Sequence, residues 1–162
     1  MKNTETERKF LVNRKKWLAM RNPPCIPYIQ GYLSIDEDKV VRIRVAGEKG
    51  FLTIKGKSET ISHPEFEYVI PAVEAGELIQ LYAISKIEKV RTRIQIGKHI
   101  WEVDEFHGDN EGLLMAEIEL EGPQELFDKP VWLGAEVTGD KRYYNAYLSI
   151  HPYKKWQKNP RK

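Results

Sequence analysis

Glu5-Thr6-Glu7-Arg8-Lys9-Phe10-Leu11-Val12 is the stretch on which the fold turns. Residues two apart on a strand point to the same side, so Glu5, Glu7 and Lys9 share one face. Arg8 stands on the other, as a surface residue. The same spacing recurs down the chain. It aligns Arg42 with Arg44, Glu65 with Glu67, Lys89 with Arg91 and Arg93, Glu102 with Asp104, and Glu117 with Glu119 and Glu121. The intervening positions are largely apolar, as at Val41, Ile43 and Val45, Leu52 and Ile54, Phe66 and Tyr68, Val103, and Ile118 and Leu120. An ordinary half-buried sheet needs only something polar toward water. Here the polar set is charged on strand after strand and seldom Ser or Thr.

Working outward, period-two segments predict eight strands, at 5–12, 28–35, 40–46, 51–55, 65–70, 85–96, 99–106 and 114–121. Turn residues separate them: Asp36-Glu37-Asp38, Gly47-Glu48-Lys49-Gly50, Gly97-Lys98 and Gly108-Asp109-Asn110. Helical spacing predicts a short helix over 73–82, through Val73, Leu78, Ile79, Leu81 and Tyr82, and a second over about 141–150. Tyr143, Tyr144 and Tyr147 read as helix packing. Two architectures produce such a pattern: a sandwich with charges facing water, or a sheet curled so that charges line a wet cavity and helices cover its apolar outside. Periodicity alone leans to the sandwich.

The chain has 162 residues, 41% hydrophobic and 31% charged, a balance that suits one continuous globular domain and excludes a disordered chain. No apolar run reaches the ~18 residues that a membrane-spanning helix needs. The charged start, Met1-Lys2-Asn3-Thr4-Glu5, lacks the apolar core of a secretion signal, so a cytoplasmic protein is the expectation. A lone cysteine, Cys25, offers neither a disulfide nor a zinc spacing and reads as inert. With 26 basic against 24 acidic residues, net charge points to no class of partner, and neither nucleic acid nor membrane is expected. The basic stretch at 151–162, with Lys154, Lys155, Lys158, Arg161 and Lys162, reads as a solvated tail beyond a domain at 1–150. Gly56-Lys57-Ser58 lacks the earlier glycine of a phosphate loop, since Phe51 stands there. His63, His99, His107 and His151 lie in turns or at strand ends without metal-ligand spacing and read as exposed side chains.

Glu5-Thr6-Glu7-Arg8-Lys9 is a Glu-x-Glu-x-Lys motif, and further segments follow it in order. They are Gln30-Gly31-Tyr32-Leu33, Val41-Arg42-Ile43-Arg44, Leu52-Thr53-Ile54-Lys55 and Glu65-Phe66-Glu67, then Glu88-Lys89-Val90-Arg91, Glu102-Val103-Asp104 and Glu117-Ile118-Glu119. Glu136-Val137-Thr138-Gly139-Asp140-Lys141-Arg142-Tyr143 completes the set. From Glu5 to about Ser149 the chain resembles the CYTH superfamily, the triphosphate tunnel metalloenzymes, in their bacterial short-chain triphosphatase form. The resemblance decides for the curled sheet. It implies a mainly β fold, an eight-stranded antiparallel barrel forming a polar tunnel with a few covering helices.

The activity it implies is divalent-metal-dependent hydrolysis of the terminal phosphoanhydride of inorganic triphosphate or a related organic triphosphate. By the same match Lys9, Lys89 and Lys141 are catalytic. Lys9, Tyr32, Arg42, Arg44, Lys55, Lys89, Arg91, Lys141 and Arg142 bind the phosphates. Glu5, Glu7, Asp104, Glu117 and Glu119 hold Mg²⁺ or Mn²⁺. The chemistry of the residues agrees. Carboxylates two apart on a strand can converge on a hard cation, while Arg clamps phosphate by two hydrogen bonds and Lys meets it as a point charge. Glu65, Glu67 and Glu102 stay open between ligand and structural roles, and Glu121 falls outside the site. Adenylyl cyclase activity on ATP and a non-catalytic polyphosphate- or nucleotide-binding module are the alternatives. Family members often pair, which leaves a homodimer open.

Overall fold

The computed structural model describes residues 4–20, 23–57 and 61–156, without the side chain of Glu5. Lys158, Arg161 and Lys162 of the basic tail lie outside these described residues. The strands are β1 (Thr4–Val12), β2 (Cys25–Ile35), β3 (Lys39–Ala46), β4 (Lys49–Gly56), β5 (Ser62–Ile70), β6 (Ser85–Ile96), β7 (His99–Phe106), β8 (Leu114–Leu120) and β9 (Leu133–Glu136). Helices α1 (Arg14–Leu18), α2 (Ala72–Tyr82) and α3 (Asn145–Ile150) lie between them.

Every strand pairing is antiparallel. Neighbours run β5-β4-β3-β2-β6-β7-β8-β1, and β1 also pairs with β5, so eight strands close into a barrel. The closing seam is short: Thr4, Glu5 and Thr6 stand opposite Pro64, His63 and Ser62. Further along the same edge of β1, β9 pairs with Phe10 and Val12.

The apolar alternate positions are outside the barrel, under covering elements. α2 lays Ala75 and Ile79 on Ile43. Trp17 of α1 and Trp132, which precedes β9, cover Phe10, Trp101, Val103 and Ile118. Trp101 meets Phe10, Phe127 and Trp132 edge-on at 5.6, 5.7 and 5.8 Å, a favourable arrangement for aromatic quadrupoles. At one end the inner face itself turns apolar. There Tyr32, Ile87, Phe106 and Met115 pack with Leu148 of α3 and plug the barrel.

Three details differ from the sequence reading. The expected helix over 141–150 starts only at Asn145, because Asp140 caps a separate 3-10 turn at Lys141–Tyr143 and Tyr144 is extended. α1 and β9 have too few residues to show a period; α1 is held by the Asn13 side chain, which accepts from the Lys16 amide at 3.0 Å. Beyond α3 the chain stays packed to Trp156, whose indole donates to the His151 carbonyl, while the Tyr153 amide donates to Asn110. Among the described residues no helix is long and apolar enough to cross a membrane.

α2 approaches the sheet closely because two strand positions, Gly31 and Gly50, carry no side chain. A Cβ on Gly50 would stand 2.8 Å from both the Ala75 Cβ and the Ile70 carbonyl oxygen, inside any real contact distance. Gly50→Ala should therefore destabilise the fold by about 1–3 kcal/mol, as overpacking does. Thermal denaturation checks it: a fall of several degrees is expected, roughly 2–4 °C per kcal/mol at this size, and an unchanged midpoint contradicts the packing.

Candidate active site

Closing the sheet turns the charged faces inward around a cavity of about 810 Å³. β1 contributes Glu7 and Lys9, β3 Arg42 and Arg44, and β4 Thr53 and Lys55. β6 contributes Lys89 and Arg91, β7 Glu102, and β8 Glu117 and Glu119. Glu65 and Glu67 of β5 complete the wall.

Each cation is held by a carboxylate. Lys9 Nζ lies 3.4 Å from Glu117 and 4.0 Å from Glu7. Burial works to lower the Lys9 pKa, but these two carboxylates outweigh it and hold the ammonium charged above its ordinary range. Burial raises Glu117 in turn, yet Lys9, Arg91, Lys89 and Lys55 around it win and hold it far below the usual carboxylate range. Arg44 Nη2 donates to Glu67 at 3.0 Å, and its guanidinium lies 5.2 Å from the Tyr28 ring. Lys55 stands 3.4 Å from Glu65 and 3.9 Å from Glu7. Arg42 reaches Thr53 at 3.3 Å, and the Thr53 hydroxyl donates to Glu67 at 2.9 Å. The Nε atoms of Arg42 and Arg44 are buried and have no hydrogen-bond partner among the described residues. A buried donor left unmade is costly, so both guanidinium groups suit an acceptor delivered from the cavity.

Register sets the acids against one another. Glu7 is directly opposite Glu119, and Glu117 directly opposite Glu102. Like charges facing across a sheet repel, and a shared cation relieves them. Among the described residues no three acidic, His or Cys groups converge as a ready-made metal cage. That donor set fits a small hard cation such as Mg²⁺, which binds through one or two carboxylates, waters and the substrate's own phosphate oxygens.

Of the residues expected in the site, Glu7, Lys9, Tyr32, Arg42, Arg44, Lys55, Lys89, Arg91, Glu117, Glu119 and Lys141 line the cavity. For Glu5, only the backbone on β1 is described. Asp104 stands behind the wall: it accepts two bonds from Arg91, at 2.7 and 2.8 Å, and lies 2.7 Å from Lys89. Burial raises Asp104, but Arg91 and Lys89 prevail and hold it low. Lys89 is pushed down to about 7, chiefly by burial, and donates to Asn145 at 2.9 Å. Arg142 is turned from the cavity and clasped by Asp140 at 2.7 Å.

The histidine reading is corrected at two positions. β5 begins at Ser62, ahead of Pro64, which places His63 in the cavity wall; Pro64 donates no strand hydrogen bond and so hides the start. His99 is buried against Glu125 at 2.7 Å, while His151 is exposed, as expected, although it too lines the cavity. Tyr143 packs on Trp156, but Tyr144 and Tyr147 face the cavity. Thr53 and Tyr28 were missed as site residues although they share a face with Lys55 and Tyr32; Asn145 has no signal in the sequence.

Such a wall can neutralise a multiply charged anion from several sides while its carboxylates take a hard cation. A family model of the CYTH domain matches residues 3–144. An inorganic triphosphatase of Acetivibrio thermocellus is 47% identical over 155 residues, covering 94% of this chain and 97% of its own. Another, from Nitrosomonas europaea, is 32% identical over 151 residues, covering 91% and 97%. The crystal structure of an inorganic triphosphatase superposes with a TM-score of 0.62 at 30% identity, covering 90% of this chain and 94% of that one. The chain belongs to the CYTH family.

The triad of Asp104, Arg91 and Lys89 is buried and fully engaged, so Asp104→Asn leaves two buried cations short of their partner. A loss of about 3–5 kcal/mol at pH 7 is expected from urea denaturation. A carboxyl held low contributes stability above its ordinary pKa and loses it as pH falls below that value. Wild-type stability should therefore drop between pH 5 and pH 3 more steeply than that of Asp104→Asn; parallel pH curves contradict the assignment.

Proposed function

We propose that this chain is a divalent-metal-dependent triphosphatase that cleaves the terminal phosphoanhydride of inorganic triphosphate. One observation carries the reading: Arg42 and Arg44 are set side by side in the cavity wall, each with a buried Nε that has no acceptor among the described residues. Two relatives that this chain matches over nine-tenths of its length are inorganic triphosphatases, which supports the same substrate.

Phosphoryl transfer needs alignment and charge neutralisation more than covalent help from the protein. Arg42 and Arg44 hold the phosphate chain through N–H donors and Lys55 meets it as a point charge, while Arg91 and Lys89, already bonded to Asp104, add positive charge to the wall beside it. Lys9, fixed between Glu7 and Glu117, keeps its charge over the reacting phosphate. Lys141 also lines the cavity and adds its charge there. Glu7, Glu117 and Glu119, with Glu5, would hold Mg²⁺ or Mn²⁺, which would supply Lewis-acid charge for the transfer. Asp104 serves from behind, keeping Lys89 and Arg91 aimed inward. Water takes the terminal phosphoryl group, the anhydride bond breaks, and diphosphate and phosphate leave.

The test is phosphate release from inorganic triphosphate with Mg²⁺, with Mn²⁺ and with chelator. Release with metal and none with chelator is expected; cyclic nucleotide formed from ATP, or triphosphate bound as tightly in chelator as with metal and hydrolysed in neither, contradicts the proposal. Glu117→Gln keeps the shape and removes a preorganised charge, so its metal-dependent turnover should fall at least about a hundredfold. Near-normal turnover at modest metal removes Glu117 from the ligand set.

A further inference from the structure

Strand alternation alone makes Arg8 a dispensable surface cation on the outer face of β1. Its guanidinium is nonetheless fully engaged. Nε donates to Glu136 Oε2 at 2.7 Å and Nη2 to Oε1 at 2.6 Å, while the group lies 5.0 Å from the Phe127 ring. Glu136 ends β9 and opens a segment, 136–144, that runs past the cavity. The Thr138 hydroxyl donates to Glu136 Oε2 at 2.6 Å and accepts from the backbone amide of Lys9 at 2.9 Å. The Val137 amide donates to the Lys9 carbonyl at 2.8 Å.

These bonds fall in a gap. On this edge of β1, β5 pairs only with residues 4–6 and β9 only with Phe10 and Val12, so the backbone of Lys9 is held by the segment rather than by a strand. The segment then turns: the Asp140 amide donates to the Val137 carbonyl at 3.0 Å, and Lys141 and Tyr144 come to the cavity. The Tyr144 ring stands 5.2 Å from Lys9 Nζ.

We propose that Arg8 is a positioning residue for the site: through Glu136 and Thr138 it fixes segment 136–144 and thereby sets where Lys141 stands over the bound anion. The identity of that anion rests on the triphosphatase reading; the strap does not. Without Arg8, Glu136 keeps, among the described residues, only the Thr138 hydroxyl as a side-chain donor and turns to water, loosening the segment that carries Lys141.

The test compares Arg8→Ala with Arg14→Ala, which removes a cation paired with Glu105 at 3.8 Å on the outer surface. The first readout is amide hydrogen exchange in the full chain without ligand. Faster exchange at Lys9, Val137 and Asp140 is expected in Arg8→Ala, unchanged exchange in the other strands, and recovery in the charge swap Arg8→Glu with Glu136→Arg. The second is kinetics with inorganic triphosphate. KM should rise about three- to tenfold with kcat within about twofold, and Arg8→Ala should add nothing in a Lys141→Ala background, the non-additivity of residues acting as one unit. Arg14→Ala should match wild type. Unchanged exchange, an unmoved KM, or effects of Arg8 and Lys141 that simply multiply would overturn the proposal. If the wild type releases no phosphate, the functional reading fails and the exchange readout alone decides the role of Arg8.

Discussion

A charged residue cannot be buried against an apolar layer without a partner, and this chain puts charges on one face of nearly every strand. The sheet answers by curling on itself. Curling gives the charged faces each other and a wet interior, and sends the apolar faces outward under α1, α2 and the Trp132 region. Where an ionic group is driven fully into protein, as Asp104 is, both oxygens are engaged by Arg91 and Lys89. The fold and the site follow from one constraint, since the pairing that makes the barrel tolerable also poises its cations.

The interior is close to balanced. Lys9, Arg42, Arg44, Lys55, Lys89 and Arg91 face Glu7, Glu65, Glu67, Glu102, Glu117 and Glu119. Lys39, Lys57, Arg93 and Lys141 against Asp36 and Glu37 bring the lining to ten basic and eight acidic residues, so a polyanion entering alone would meet nearly as many acids as bases. Entering with a divalent cation, it can take the arginines and lysines while the metal draws off Glu7, Glu117 and Glu119, whose register sets Glu7 against Glu119 and Glu117 against Glu102. On the proposed function, metal and phosphate are two halves of one electrostatic exchange, as expected where preorganised cations act on developing phosphate charge.

Much of this was legible in the sequence because strand alternation is a strong, local signal. The eight barrel strands, and the division that sets Lys9, Arg42, Arg44, Lys55, Lys89 and Arg91 on one face and Arg8 on the other, follow from residue parity; that the charged face turns inward came from the family resemblance. What was not legible depends on chain ends and irregular segments. β9 is too short to show a period, and Pro64 hid the start of β5 and with it His63. Parity also says which face a residue takes but not how deep it lies. Asp104 shares a face with Glu102, yet it sits behind the cavity wall, and Arg142 is clasped by Asp140 two residues away. The sandwich that periodicity favoured lost because the pattern alone cannot tell solvent outside a sheet from solvent inside a barrel.

The central claim is that triphosphate and metal enter this cavity as one unit. Calorimetric titration of the wild type with an imido-bridged, non-hydrolysable triphosphate analogue tests it most directly, once with Mg²⁺ and once with chelator. Binding at least about tenfold tighter with metal, a coupling of about 1.4 kcal/mol or more, is the expected result. Equal affinity in the two conditions would contradict the account.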